Sequence, residues 1–162
     1  MQGMLQLLRL IDSLGRVEGR KKLQKIVYIL KAQGHDFPQH FGYLHYGPFS
    51  SAVAAEMDSL VAGSLVKEQG DGQQYEAYVY TPQQAASKLL ADLKQTGKPK
   101  WQALATELNQ MDVSLLEAMS TILYLKANGF SGDALKTRFQ DLKPALRRIY
   151  ERALEKTNSL RK

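Results

Sequence analysis

The chain has 162 residues, 22 Lys and Arg against 16 Asp and Glu, and no cysteine. That length fits one domain, or one with a small annex, and needs no metal or disulfide to hold its core. The missing cysteines exclude a disulfide framework, Cys-based zinc sites, iron–sulfur clusters and a cysteine nucleophile. No apolar run approaches the roughly 20 residues of a membrane span. The uncharged start MQGMLQLLRLIDSLG reads as a helix and not as a signal peptide, so a cytoplasmic protein without a membrane partner is expected.

In chain order, Leu7, Leu8, Ile11 and Leu14 line one helix face, and Gly15 ends it. GRVEG (15–19) reads as a turn. Leu23, Ile26, Val27 and Leu30 repeat the helical spacing up to Gly34, a left-handed cap. Residues 35–48 are rich in aromatics and turn formers, with an extended piece at 43–46. Pro48 fits the first turn of a third helix, with Ser50 and Ser51 supplying hydroxyls, and Val53, Met57, Leu60 and Val61 as its inner face up to Gly63. SLVKEQ (64–69) and YEAYVY (75–80) around Gly70-Asp71-Gly72 predict a hairpin. Thr81, Pro82 and Gln84 predict a capping box for a fourth helix, and Ser114 with Glu117 a second one, opening helix six. Helices five (Trp101, Leu104, Leu108, Met111), six (Leu115, Met119, Ile122, Leu123) and seven (Leu135, Phe139, Leu142) follow. An eighth starts at Pro144. IVYILKAQG (26–34) and TILYLKANG (121–129) echo each other; two buried helices ending on one Lys-Ala-x-Gly cap explain this without duplication.

Helix, turn, helix, loop, helix, hairpin, helix is the order of a winged helix-turn-helix. The expected fold is mainly α with a small β-hairpin: a winged-helix domain over 1–95, and a C-terminal helical extension over 96–162, packed on it or used for dimerisation. GRKKLQKIVYILKAQG (19–34) followed by YGPFS (46–50) resembles the uncharacterised bacterial YwgA-like family. It is similar, more distantly, to the Panacea (SocA-like) antitoxin domain, which has a Lys-Leu-Gln-Lys helix followed by a Tyr-Gly-Pro turn. The resemblance covers about residues 5–80. The first family implies a fold and little activity; the second implies a non-enzymatic partner-binding module in toxin neutralisation. Neither supplies a catalytic residue. Within the motif, Gln24 is expected to hydrogen-bond the Tyr46-Gly47-Pro48 turn, a structural role.

Charge is segregated. Residues 1–34 carry a net +5, residues 35–80 a net −5 and residues 81–162 a net +6. Arg16, Arg20, Lys21, Lys22 and Lys25 around the second helix, and Arg147, Arg148 and Arg152 in the last, are the candidates for phosphates or an acidic partner. The third helix, which enters the major groove in helix-turn-helix readers, needs basic or amide donors there. It presents Ser50, Ser51, Glu56 and Asp58 instead, and the wing adds Glu68, Asp71 and Glu76 against Lys67. The leading expectation is therefore a non-enzymatic regulatory module that binds a protein partner through an acidic third-helix and wing surface. One alternative is a DNA-binding transcription regulator using the basic second and last helices. The other is an enzyme using the loop histidines His35, His40 and His45, whose spacing of five suits neither a helical nor a strand metal site. No cofactor or metal is implied. The apolar face Leu146, Ile149, Tyr150, Ala153, Leu154 needs a cover, from its own domain or from a second copy in a homodimer.

Overall fold

The computed structural model describes residues 2–44, 47–70 and 78–160. Helix α1 (Gln2–Leu14) leads through β1 (Val17–Glu18) to α2 (Arg20–Ala32). Strands β2 (Gly42–Leu44) and β3 (Gly47–Phe49) pair antiparallel, with Tyr43 opposite Pro48. Then come α3 (Ser51–Ala62), β4 (Val66–Gln69), β5 (Val79–Pro82) and α4 (Gln84–Asp92). Helices α5 (Gln102–Asn109), α6 (Val113–Ala127) and α7 (Gly132–Leu142) follow. A 3-10 segment (Pro144–Ile149) then runs into α8 (Tyr150–Ser159). The protein is thus mainly helical, with small antiparallel sheets.

The GRVEG segment is more than a turn. Val17 and Glu18 pair with Tyr80 and Val79, so β1 forms the edge of a three-stranded antiparallel sheet in the order β1-β5-β4. Two residues are too short for an alternating pattern to register in sequence. Pairing also overrides the first expected capping box. Thr81 stands opposite Lys67 in the ladder, β5 runs through Pro82, and α4 starts after Gln83 without a side-chain cap. At α6 the cap is Asp112, whose side chain accepts from the Ser114 amide at 3.1 Å, and Glu117 is buried instead of reaching back. Pro48 lies in β3, outside the third helix. The Ser50 hydroxyl caps that helix by accepting from the Val53 amide at 3.1 Å. The last helix begins as a 3-10 turn at Pro144 before becoming α-helical at Tyr150.

Two helices form the centre. Every residue of α2 from Leu23 to Leu30 is buried, and so is nearly all of α6 between Leu115 and Leu125. A helix buried all round must be covered on several sides. Helix α2 packs on α5, α6 and β3, while α6 also packs on α7 and α8; α1 packs on α3, α4 and α5. One continuous apolar core therefore spans residues 7–153, and the C-terminal helices share it with the N-terminal half. Tyr150 and Ala153 are buried, with the Tyr150 ring 4.9 Å from that of Phe139, so α6 and α7 supply cover for α8 within the chain. The echoed segments end alike: Gly34 and Gly129 both take the left-handed conformation, with φ of 92° and 91°.

Gln24 holds α2 to the start of α3. Its amide nitrogen donates to the Ser50 carbonyl and its oxygen accepts from the Ser50 amide, both at 2.9 Å. Its partner is thus Ser50, two residues past the Tyr46-Gly47-Pro48 turn that it was expected to bond. Replacing Gln24 by Leu strands both buried backbone groups, so Gln24→Leu should lower the unfolding free energy by roughly 2–4 kcal/mol in urea denaturation. A loss below about 1 kcal/mol would show that the pair is dispensable.

Candidate functional site

Helices α2 and α6 run side by side in the same direction, and a polar seam lies between them. Lys21, Lys25 and Tyr28 share one face of α2 at i, i+4, i+7. Glu117, Thr121 and Tyr124 share one face of α6 at the same intervals. The pairs meet in order. Lys21 Nζ stands 2.5 Å from Glu117 Oε1, Lys25 and Thr121 both reach Gly47, and the Tyr28 and Tyr124 rings lie 6.4 Å apart. The β2–β3 hairpin lies against this seam. Tyr43 stacks 5.0 Å from Tyr124, and Lys143 approaches the Tyr43 ring at 5.9 Å.

Lys25 is only 1% exposed. Its ammonium donates to the Pro48 carbonyl at 2.8 Å. Burial pushes its pKa down to about 8, Glu117 opposes the shift, and Lys143 and Lys21 add to it. Lys143 is also buried and shifted down, chiefly by burial. Gly47 has φ of 100°, and a Cβ there would lie 3.3 Å from both Lys25 Nζ and Thr121 Oγ1. Glycine is needed at this position for its conformation and for its bareness. Gln24 and Lys25 of the Lys-Leu-Gln-Lys motif thus hold the Gly47-Pro48 strand and the residue after it. Tyr46 lies outside the described residues.

Next to the seam, a groove of about 460 Å³ opens between α2 and α3. Its lining includes Leu23, Phe49, Val53, Ala54, Met57 and Tyr80, with Arg20, Lys21, Lys25 and Asp58 among its polar residues.

This placement corrects several expectations. Lys25 belongs to the interior and not to an exposed basic face. Its i, i+4 partner Lys21 does share that face, but the face is turned toward α6. Arg20 makes a two-point contact with Glu68, at 3.0 and 2.8 Å, and stacks 4.2 Å above the Tyr78 ring. That contact raises the Arg20 pKa and holds the Glu68 carboxyl below its ordinary range. Arg16 pairs with Glu18 at 3.1 Å, both exposed, and Lys22 is half-buried. Ser50 is fully buried as a cap and cannot face a partner. Glu56 is half-buried and accepts from Gln39 at 3.1 Å. Both its oxygens lie against Gly3 in the first turn of α1, where the helix dipole favours a carboxylate. Ser51 and Asp58 stay exposed on α3, and Arg147, Arg148 and Arg152 are exposed near the C-terminus. The acidic surface is therefore thinner than its composition: Glu68 is neutralised, Glu56 is turned aside, and Asp71 and Glu76 lie outside the described residues.

His35 is half-buried and His40 exposed, while His45 lies outside the described residues. Among the described residues, no three His, Cys, Asp or Glu side chains gather as metal ligands, and no helix is long and apolar enough to cross a membrane.

No family model matches the sequence. Over 122 residues the chain is 32% identical to a protein of Bacillus subtilis (strain 168) named "Uncharacterized protein YwgA", covering 74% of this chain and 72% of that one.

The buried amine gives a pH signature. Lys25 titrates at about 8 in the folded chain against 10.5 ordinarily. Between those values unfolding takes up a proton, so stability rises with pH across this window. Measured by urea denaturation against Lys25→Met, the wild type should gain on the order of 2 kcal/mol between about pH 8 and 10. A difference that is flat or falls with pH would place the amine in water.

Proposed function

The chain belongs to the YwgA-like family, and we propose that it is a non-enzymatic interaction module built on a winged helix, which receives a protein partner in the α2–α3 groove. Support for the winged helix comes from the order α1-β1-α2, then α3-β4-β5, with β1, β5 and β4 in one antiparallel sheet. In that reading the β4–β5 hairpin is the wing, and the β2–β3 hairpin is an insertion before the third helix. The distant resemblance to the Panacea antitoxin domain, a partner-binding module, points the same way.

The observation that carries the proposal is the groove. Its walls are mostly apolar, from Leu23, Phe49, Val53, Met57 and Tyr80. Such a concavity suits a buried apolar anchor of another polypeptide, the contact that dominates binding energy in protein interfaces. The nearby charges then set register more than affinity. Arg20 is committed to Glu68, which leaves Asp58 as the exposed acid beside the groove. This moves the recognition from a broad acidic surface, as composition suggested, to shape at one cleft.

The DNA-binding reading loses support on its expected contact face. Phosphate neutralisation needs cations free to approach the duplex. Lys25 is buried, Arg20 holds Glu68 and Lys21 stands against Glu117. The outward side of α3 offers Ser51, Ala52, Ala55, Asp58 and Ser59, with no amide or basic donor for base edges. Arg147, Arg148 and Arg152 remain the exposed basic cluster that this reading would use.

A photo-crosslinking side chain in place of Asp58, used in cells, tests the choice. The proposal expects a discrete polypeptide adduct from position 58 and none from a control at Ala145. Ala54→Arg fills the groove and should cut the adduct more than about tenfold, as loss of an anchor does. Equal adducts from both positions, or an adduct indifferent to Ala54→Arg, would contradict the groove. Retention on duplex DNA at about 50 mM salt that vanishes with Arg147, Arg148 and Arg152→Ala would favour the DNA reading.

A further inference from the structure

The Lys-Ala-x-Gly ends that α2 and α6 share in sequence also meet in space. The two helices run in the same direction, so Lys31 and Ala32 of one, with Lys126, Ala127 and Asn128 of the other, line a single cavity of about 540 Å³. His40 and Phe41, from the segment between α2 and β2, form another part of its wall. The cavity shares no lining residue with the α2–α3 groove. Aromatic rings stand inside it: Tyr28 meets Phe41 edge-on at 5.2 Å and Tyr124 at 6.4 Å. Phe41 and Tyr124 are half-buried, and Ala32 and Ala127 are small and exposed, so the rings stay within reach of a ligand.

Helix capping accounts for only part of this arrangement. A helix C-terminus carries roughly half a negative charge, and a lysine in its last turn offsets that. A whole ammonium at each of two ends exceeds it and leaves the mouth positive. Lys31 donates to the Gln39 carbonyl, and Lys126 to the Asn158 side-chain oxygen at 2.7 Å. Both acceptors are neutral, whereas Arg16, Arg20 and Lys136 each face a carboxylate. Among the described residues, no carboxylate lines the cavity. Each ammonium has three N–H groups, of which those bonds take one. His40 is exposed and offers an N–H in either protonation state. Asn128 gives its side-chain amide to the Tyr124 carbonyl at 2.8 Å, which leaves its oxygen as an acceptor.

We propose that this cavity binds a free mononucleotide. The rings of Phe41 and Tyr124 supply a stacking surface for the base, which any base can use. Lys31 and Lys126 flank the position of the phosphate and donate to it with charge assistance. The Asn128 oxygen accepts from an exocyclic amine on the base. A cavity of this size falls within the roughly 300–1,000 Å³ of small-molecule sites. An organic cation, which aromatic rings alone would suit, is repelled by the same two lysines. A bare inorganic anion would leave the rings unused. The site is independent of the groove and of whatever the groove receives.

Calorimetric titration of the full chain with adenosine monophosphate, adenosine and sodium phosphate, at about pH 7.5 and constant ionic strength, tests it. The expected result is one saturable site for the nucleotide, with adenosine and phosphate each bound about tenfold or more weakly. Lys126→Gln, at an exposed position, should weaken the nucleotide about tenfold and bring it to the affinity of adenosine. Phe41→Leu should weaken it about fivefold or more through lost stacking; if that variant does not fold, Lys126→Gln decides alone. Lys88→Gln, at an exposed lysine on α4, is the control and should change nothing. No saturable nucleotide binding, phosphate bound as tightly as the nucleotide, or equal losses in Lys126→Gln and Lys88→Gln would overturn the proposal. An oligoadenylate that binds where the monophosphate does not would give the cavity to a single strand and overturn it too.

Discussion

A lysine amine taken out of water needs acceptors, and the position of its acceptor decides what is packed around it. Lys25 finds one at the Pro48 carbonyl, 2.8 Å away. That bond fixes the β2–β3 hairpin over the middle of α2 and leaves the hairpin against α6 as well. The neighbouring Gln24 fastens Ser50, so two consecutive residues of α2 set where α3 begins. The walls of the α2–α3 groove follow from this: Leu23 on one side, Val53 and Met57 on the other, and Phe49 between the strand and the helix. Without the Lys25 bond the Pro48 carbonyl loses this donor, while the Gln24 bonds still hold the start of α3.

Glycine at position 47 is the other half of the same constraint. A positive φ lets the strand turn, and the absent side chain lets two amines and a hydroxyl press against its backbone. The Gly-Pro pair and the Lys-Leu-Gln-Lys helix are therefore two sides of one contact, far apart in the chain. In this chain, then, the Lys-Leu-Gln-Lys segment serves to dock the hairpin and the residue that follows it.

Much of the helical framework was legible from periodicity, because α1, α3, α5 and α7 each bury one stripe and end at glycines or turn residues. The central pair was harder to read. Charge counting placed Lys25 on a solvated face because lysine is rarely buried, and one chain cannot show that a helix is covered on every side. The i, i+4 relation of Lys21 to Lys25 was visible, but not the direction of the shared face. Position along the chain also hid the Arg20–Glu68 contact, which joins a basic segment to an acidic one and removes part of the segregation. The expected caps at Thr81 and Ser114 failed for the same reason: a strand pairing and a nearby Asp112 offered the backbone better partners. The signal that could have found the seam was the matched 4,3 spacing of Lys21, Lys25, Tyr28 and Glu117, Thr121, Tyr124.

The buried amine itself can be observed. In protein labelled with nitrogen-15 at lysine, the Lys25 ammonium should appear as a slowly exchanging resonance, absent from Lys25→Met, that titrates at about 8. A Lys25 resonance that exchanges rapidly and titrates near the ordinary value of about 10.4 would put that side chain in solvent, and the arrangement of hairpin, groove and seam described above would not stand.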